Sequence, residues 1–99
     1  MICKCFKIRL NTVSAAKLFA SEANTLNESV YIEYENEKGD KKLINGKSVL
    51  SLLQLDLHSI LTVYIEYKEK QNTRKFKQSI NVYIVNDDDK KVNLDISRL

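Results

Sequence analysis

The chain of 99 residues has no proline and no tryptophan, and only two glycines, two cysteines, one methionine and one histidine. So little proline and glycine excludes collagen-like and low-complexity sequence. With 43% apolar and 29% charged residues, the balance is that of a chain that folds. The length suits one domain spanning residues 1–99, with a modest core that needs neither disulfide nor metal. No apolar run approaches the roughly 18 residues of a membrane span. The start, Met1 to Phe6, lacks the long apolar stretch of a signal peptide. A cytoplasmic protein with no membrane partner is therefore expected.

Cys3 and Cys5 fall on one face of a strand-like run, about 6.5 to 7 Å apart along it, which does not suit an unstrained disulfide. Two free thiols fit a reducing compartment. One Cys-x-Cys and one histidine cannot supply the four ligands of a closed zinc site, so neither metal nor other cofactor is expected. Sixteen Lys and Arg against thirteen Asp and Glu leave a scattered net charge of +3, too slight to mark a nucleic-acid partner. No Ser-His-Asp set, carboxylate pair with a base, or glycine-rich phosphate loop can be assembled, so catalysis is not expected.

Met1 to Leu10 alternates as a half-buried strand, with Ile2, Phe6, Ile8 and Leu10 on one side and Lys4 as the one misfit among them. From Ser14 to Leu26, Ala16, Phe19, Ala20, Ala23 and Leu26 form one helical stripe, capped by Thr12 or Ser14. Ser29 to Glu35 and Lys41 to Ile44 read as a hairpin, and Ser48 to Leu55 as a short helix behind good capping residues. Ile60 to Tyr67 alternates as the clearest strand. Beyond Lys68 pattern and propensity conflict: Phe76, Ile80, Tyr83 and Ile84 have helical spacing behind an Asn72 cap, yet Ile80 to Val85 is β-branched and aromatic. Asp87 to Lys91 reads as a solvated turn, and Val92, Leu94 and Ile96 as a short strand or a docked tail.

Several segments resemble the histidine-containing phosphocarrier (HPr) family of the bacterial sugar phosphotransferase system. Phe6-Lys7-Ile8 is similar to its first strand and Val30 to Tyr34 to its second. Lys47 to Leu55 is similar to its Lys-Ser-Ile-Met-Gly-Val-Met-Ser-Leu segment, and Leu61 to Ile65 to the strand that follows. The resemblance is strongest over residues 5–67, leaving 87–99 as a divergent tail. It implies an α+β, open-faced β-sandwich of βαββαβα order, an antiparallel sheet with helices on one face, and hence a third helix over residues 72–86.

The family's phosphate-carrying histidine stands at the start of the first helix, in Gly-Ile-His-Ala-Arg-Pro-Ala. This chain reads Asn11 to Lys17 there, shorter and without His, Arg or Pro, so Thr12, Ser14 and Lys17 mark a degenerate region. A hydroxyl cannot replace imidazole, because phosphoserine is too stable to pass its group on. The lone His58, in the loop before the last matched strand, is the only substitute. Ser48 matches the serine that HPr kinase/phosphorylase modifies in Firmicute members to control carbon catabolite repression. The expectation is a non-catalytic HPr-like regulator, switched at Ser48, with Lys47, Val49, Leu50 and Leu53 as its partner-binding patch. Its implied partners are enzyme I of the phosphotransferase system, the kinase/phosphorylase or a transcriptional regulator. The alternatives are a repurposed self-association module, in which the long hairpin, the tail and exposed-face Cys3 and Cys5 make a homodimer, and an active phosphocarrier.

Overall fold

The computed structural model describes residues 1–99, apart from the side chain of Arg98. The first strand, β1 (Ile2–Ile8), leads into helix α1 (Val13–Ala23), whose predicted stripe is the buried one: Ala16, Phe19, Ala20 and Ala23, joined by Ala15. The hairpin is β2 (Val30–Glu35) and β3 (Lys41–Asn45), turned at Gly39, whose φ of +82° lies in the left-handed region that glycine enters at no steric cost. Helix α2 (Val49–Leu53), strand β4 (Leu61–Glu66) and helix α3 (Lys70–Ser79) follow. This is the α+β, βαββαβα order of an HPr-like open-faced sandwich. A fifth strand, β5 (Ile84–Asn93), extends it. All neighbours in the sheet are antiparallel, in the order β3-β2-β4-β1-β5.

The period-2 reading sets both faces of the sheet. Phe6 and Ile8 of β1, Val30 and Ile32 of β2, and Leu61, Val63 and Ile65 of β4 point to the helices and form the main core with α1, Leu52 of α2, and Phe76 and Ile80. Phe19 of α1 and Phe76 of α3 meet edge to face, with ring centroids 5.5 Å apart, and so tie the outer helices together across the core. On the other face, Cys3, Leu43 and Leu94 make a second small cluster flanked by Tyr31, Tyr64 and Val92. The chain after β5 lies across this face: the Leu94 N–H donates to the Met1 carbonyl at 2.8 Å, and the 3-10 turn Ile96–Arg98 lies against β3.

Three expectations are corrected. The third helix begins behind Glu69, not Asn72, and stops at Ser79 rather than running to residue 86. A single 3-10 turn, Asn81–Tyr83, then turns the chain into β5. β-branched Ile84 and Val85 follow their own propensity once the sheet offers them a partner, the β1 edge that β4 does not cover. Asp87 to Lys91 is likewise no free turn but part of β5. Between the pairs Cys5–Lys90 and Lys7–Asn86, β5 carries two more residues than β1, and Asp89 takes up the bulge at φ +54°. Cys3, finally, is not on an exposed surface; it is 0% accessible beneath the tail cluster, while Cys5 is half-buried.

Burial, reinforced by Glu66 near Cys3 and Glu33 near Cys5, holds both thiols above their ordinary range. The folded chain thus keeps these protons longer than the unfolded chain does. Their contribution leaves stability untouched below about pH 9 and lowers it as the pH climbs further. Leu94→Asp, which sets a charge on Cys3, is expected to lower stability by about 2 kcal/mol or more and to open Cys3 to thiol reagents, read by denaturant unfolding and by mass after brief alkylation. Wild-type protein should be alkylated at Cys5 first.

Candidate functional site

Thr12, and not Ser14, caps α1: its φ of −132° is extended, and its hydroxyl accepts the Ala15 N–H at 3.0 Å. Asn11, just before it, sits at φ +67°, a left-handed conformation that asparagine tolerates better than most side chains. That kink lets the Asn11 N–H donate to the Leu57 carbonyl at 2.7 Å, pinning the 56–59 loop to the start of α1. Within that loop Asp56 Oδ1 accepts the His58 N–H at 3.0 Å, and the His58 ring Nδ1 lies 3.4 Å from Asn11 Oδ1. The structure thus brings His58 to the N-terminal end of α1. Ser14 and Lys17 are exposed on the first turns of the helix, which carries no acidic residue there.

Ser48 caps α2 in the same manner. Its backbone is extended at φ −94° and ψ 107°, and its half-buried hydroxyl accepts the Ser51 N–H at 3.3 Å. The approach to this cap is rigid. The Gly46 N–H donates to the Val30 carbonyl at 2.8 Å, and a Cβ on Gly46 would stand 2.7 Å from Val30 Cγ1. Asn24, at the end of α1, donates to the Lys47 carbonyl at 2.8 Å, while Lys47 Nζ donates to the Leu26 carbonyl at 2.7 Å. These bonds dock the start of α2 on the end of α1.

The four residues of the expected partner patch therefore divide. Lys47 spends its ammonium group on a backbone carbonyl, and Val49 packs against the core. Leu50, 73% exposed, and Leu53, 37% exposed, present apolar surface beside Ser48. Among the described residues no group of three or more His, Cys, Asp or Glu could hold a metal ion, and no helix is long and apolar enough to cross a membrane. Compared with known proteins, the chain matches no family model and no curated protein.

The sequence points to Ser48 as one cap and leaves the other open between Thr12 and Ser14, but it carries no sign of the Asn11–Leu57 link, which joins residues 46 positions apart through a backbone conformation that no side-chain pattern encodes. The positive charge, scattered along the sequence, gathers in the fold on α3, where Lys70, Arg74 and Lys77 recur on one face of the helix. Thr12→Ala is expected to cost about 1 kcal/mol, seen as a lower midpoint in urea, whereas Ser14→Ala should be nearly neutral. Gly46→Ala is expected to cost about 1 to 3 kcal/mol, because Val30 must move.

Proposed function

We propose that this protein is a non-catalytic, HPr-like regulatory protein that binds partners through the α1–α2 surface and is switched by phosphorylation of Ser48. The observation that carries this reading is the setting of Ser48: a helix-capping serine on a braced turn, next to the exposed leucines 50 and 53. Its support from sequence is the resemblance of Lys47 to Leu55 to the family segment that bears the regulatory serine. Attack of Ser48 Oγ on the γ-phosphorus of ATP breaks the bond to the β,γ-bridging oxygen, releases ADP and a proton, and leaves a phosphoserine. Its charge of about −2 then meets the positive end of the α2 peptide dipoles. The same charge beside Leu50 and Leu53 changes an apolar contact surface into a mixed one, which a different partner recognises.

The first helix argues against the family's own chemistry. Thr12 stands at the cap position, and its hydroxyl is already engaged by the Ala15 N–H. The active-carrier alternative rests on His58 alone, whose imidazole faces Asn11. For the self-association alternative, Cys3 is buried while Cys5 stays half-buried, and residues 84–93 pair with β1 of the same chain. Both sheet edges, moreover, carry charge: Lys41 and Lys42 on β3, and Asp87 to Lys91 on β5. Charged edges and a bulge oppose strand addition by a second copy.

Incubation with a Firmicute HPr kinase/phosphorylase and ATP is expected to add one phosphate, about 80 Da by intact mass, to the wild type and none to Ser48→Ala. No gain, with authentic HPr labelled in the same tube, would sink the serine-switch reading. In parallel, enzyme I and phosphoenolpyruvate should leave no acid-labile label; a label lost in His58→Ala would establish the carrier instead.

A further inference from the structure

Lys4, the misfit of the β1 pattern, explains itself in the structure. It lies on the helix side of the sheet but beyond the reach of the core, at the floor of a cleft of about 620 Å³ between α3 and β5. One wall is a stripe of α3: Lys70, Thr73, Arg74 and Lys77, spaced by three and four residues. Facing it are Lys4, Tyr67 and Lys91 of the sheet side, with Asp87 and Asp89 of the bulge at the rim. Five cations thus meet two carboxylates, an excess of three that equals the net charge of the whole chain.

The pairing within the cleft is uneven. Asp89 accepts from Lys4 at 2.8 Å, and Asp87 lies 3.0 Å from Lys77. Lys70, Arg74 and Lys91 form no ion pair among the described residues; Lys91 instead stands over the Tyr67 ring at 4.5 Å. Thr73 is buried, and its hydroxyl has no hydrogen-bond partner among the described residues. Unpaired cations from two elements converge on a concavity of the size that small ligands occupy. We propose that this cleft binds a small anion bearing two phosphate groups, one held by Lys70 and Arg74 on the helix and the other by Lys91 with Lys4 on the sheet.

Three features favour this ligand. Arginine offers a planar fork that engages two phosphate oxygens at once, and the lysines add point charge. The cations without an ion pair, Lys70 and Arg74 on the helix and Lys91 over Tyr67 on the sheet, are split between facing walls, which matches two anionic groups better than one. Asp89 is exposed, and its carboxylate sits on the Lys4 ammonium group, which also donates to the Asp89 carbonyl at 3.2 Å, so an incoming phosphate takes the place of a carboxylate already held there. A long nucleic-acid strand fits less well, because the acidic rim would repel a backbone laid across it. The inference shares no residue with the Ser48 reading and stands or falls without it.

The test is calorimetric titration of the full chain with inorganic pyrophosphate, orthophosphate and a thymidine 20-mer at constant ionic strength. Pyrophosphate is expected to bind one to one and at least about tenfold more tightly than orthophosphate. Arg74→Ala should weaken it by about tenfold or more. Asp89→Asn, which keeps a side chain suited to the left-handed bulge, should strengthen it several-fold. Both positions are exposed, and matching circular dichroism melts confirm that the variants are folded. Equal affinity for the two phosphates, or pyrophosphate binding unchanged in Arg74→Ala, would overturn the proposal. So would binding of the 20-mer alone, which would assign the basic stripe to nucleic acid.

Discussion

The structure depends on β1 being paired along both edges. Ile2–Ile8 lies between β4 and β5, so the backbone donors and acceptors of a strand that would otherwise close the sheet with an open edge are used on both sides. With its direction and register fixed, alternation assigns each side chain to one of two layers. Phe6 and Ile8 enter the helix-side core, and Cys3 enters the cluster under the C-terminal segment. Lys4 points to the helix side where the core has ended, and there it meets α3 and the β5 bulge. A one-residue slip of β1 would exchange the two sets, burying Lys7 and exposing Phe6.

What could be read in the sequence follows the same logic. Strands β1, β2 and β4 and the stripe of α1 were legible because each has one buried face, and burial writes a period into the residues. The capping role of Ser48 was legible because caps use few residue types. Strand β5 was not. From Val85 to Lys91 every residue is exposed; backbone bonds to β1 and ion pairs at Asp87 and Asp89 hold this stretch, and neither leaves an apolar alternation to read. Asp-Asp-Asp-Lys-Lys then resembles a turn, and in part it is one, since Asp89 adopts a left-handed bulge within the strand. The helical spacing of Phe76 and Ile80 was real but ended there, and neither spacing nor propensity alone located the change at Ser79.

Of the site residues, those close in sequence were legible and those joined by the fold were not. Ser48, Leu50 and Leu53 share one short helix and its cap. His58 and Asn11 meet only because the left-handed Asn11 turns its N–H to Leu57. The cationic cleft draws on β1, the end of β4, α3 and β5, so no window of sequence contains it; its one local sign was a lysine out of place at position 4. The two regions use different elements. The Ser48 surface rests on the docking of α2 against α1, while the cleft exists only because β5 supplies its outer wall.

The integral fifth strand is therefore the claim on which the most depends, and amide hydrogen exchange measured residue by residue tests it directly. The interstrand amides of β5 on either side of the bulge should exchange in the same slow class as those of β1, through opening of the whole sheet. Fast exchange throughout residues 84–93, with β1 still protected against β4, would show β5 to be a detachable segment. The cleft wall and the buried setting of Cys3 would then fall with it.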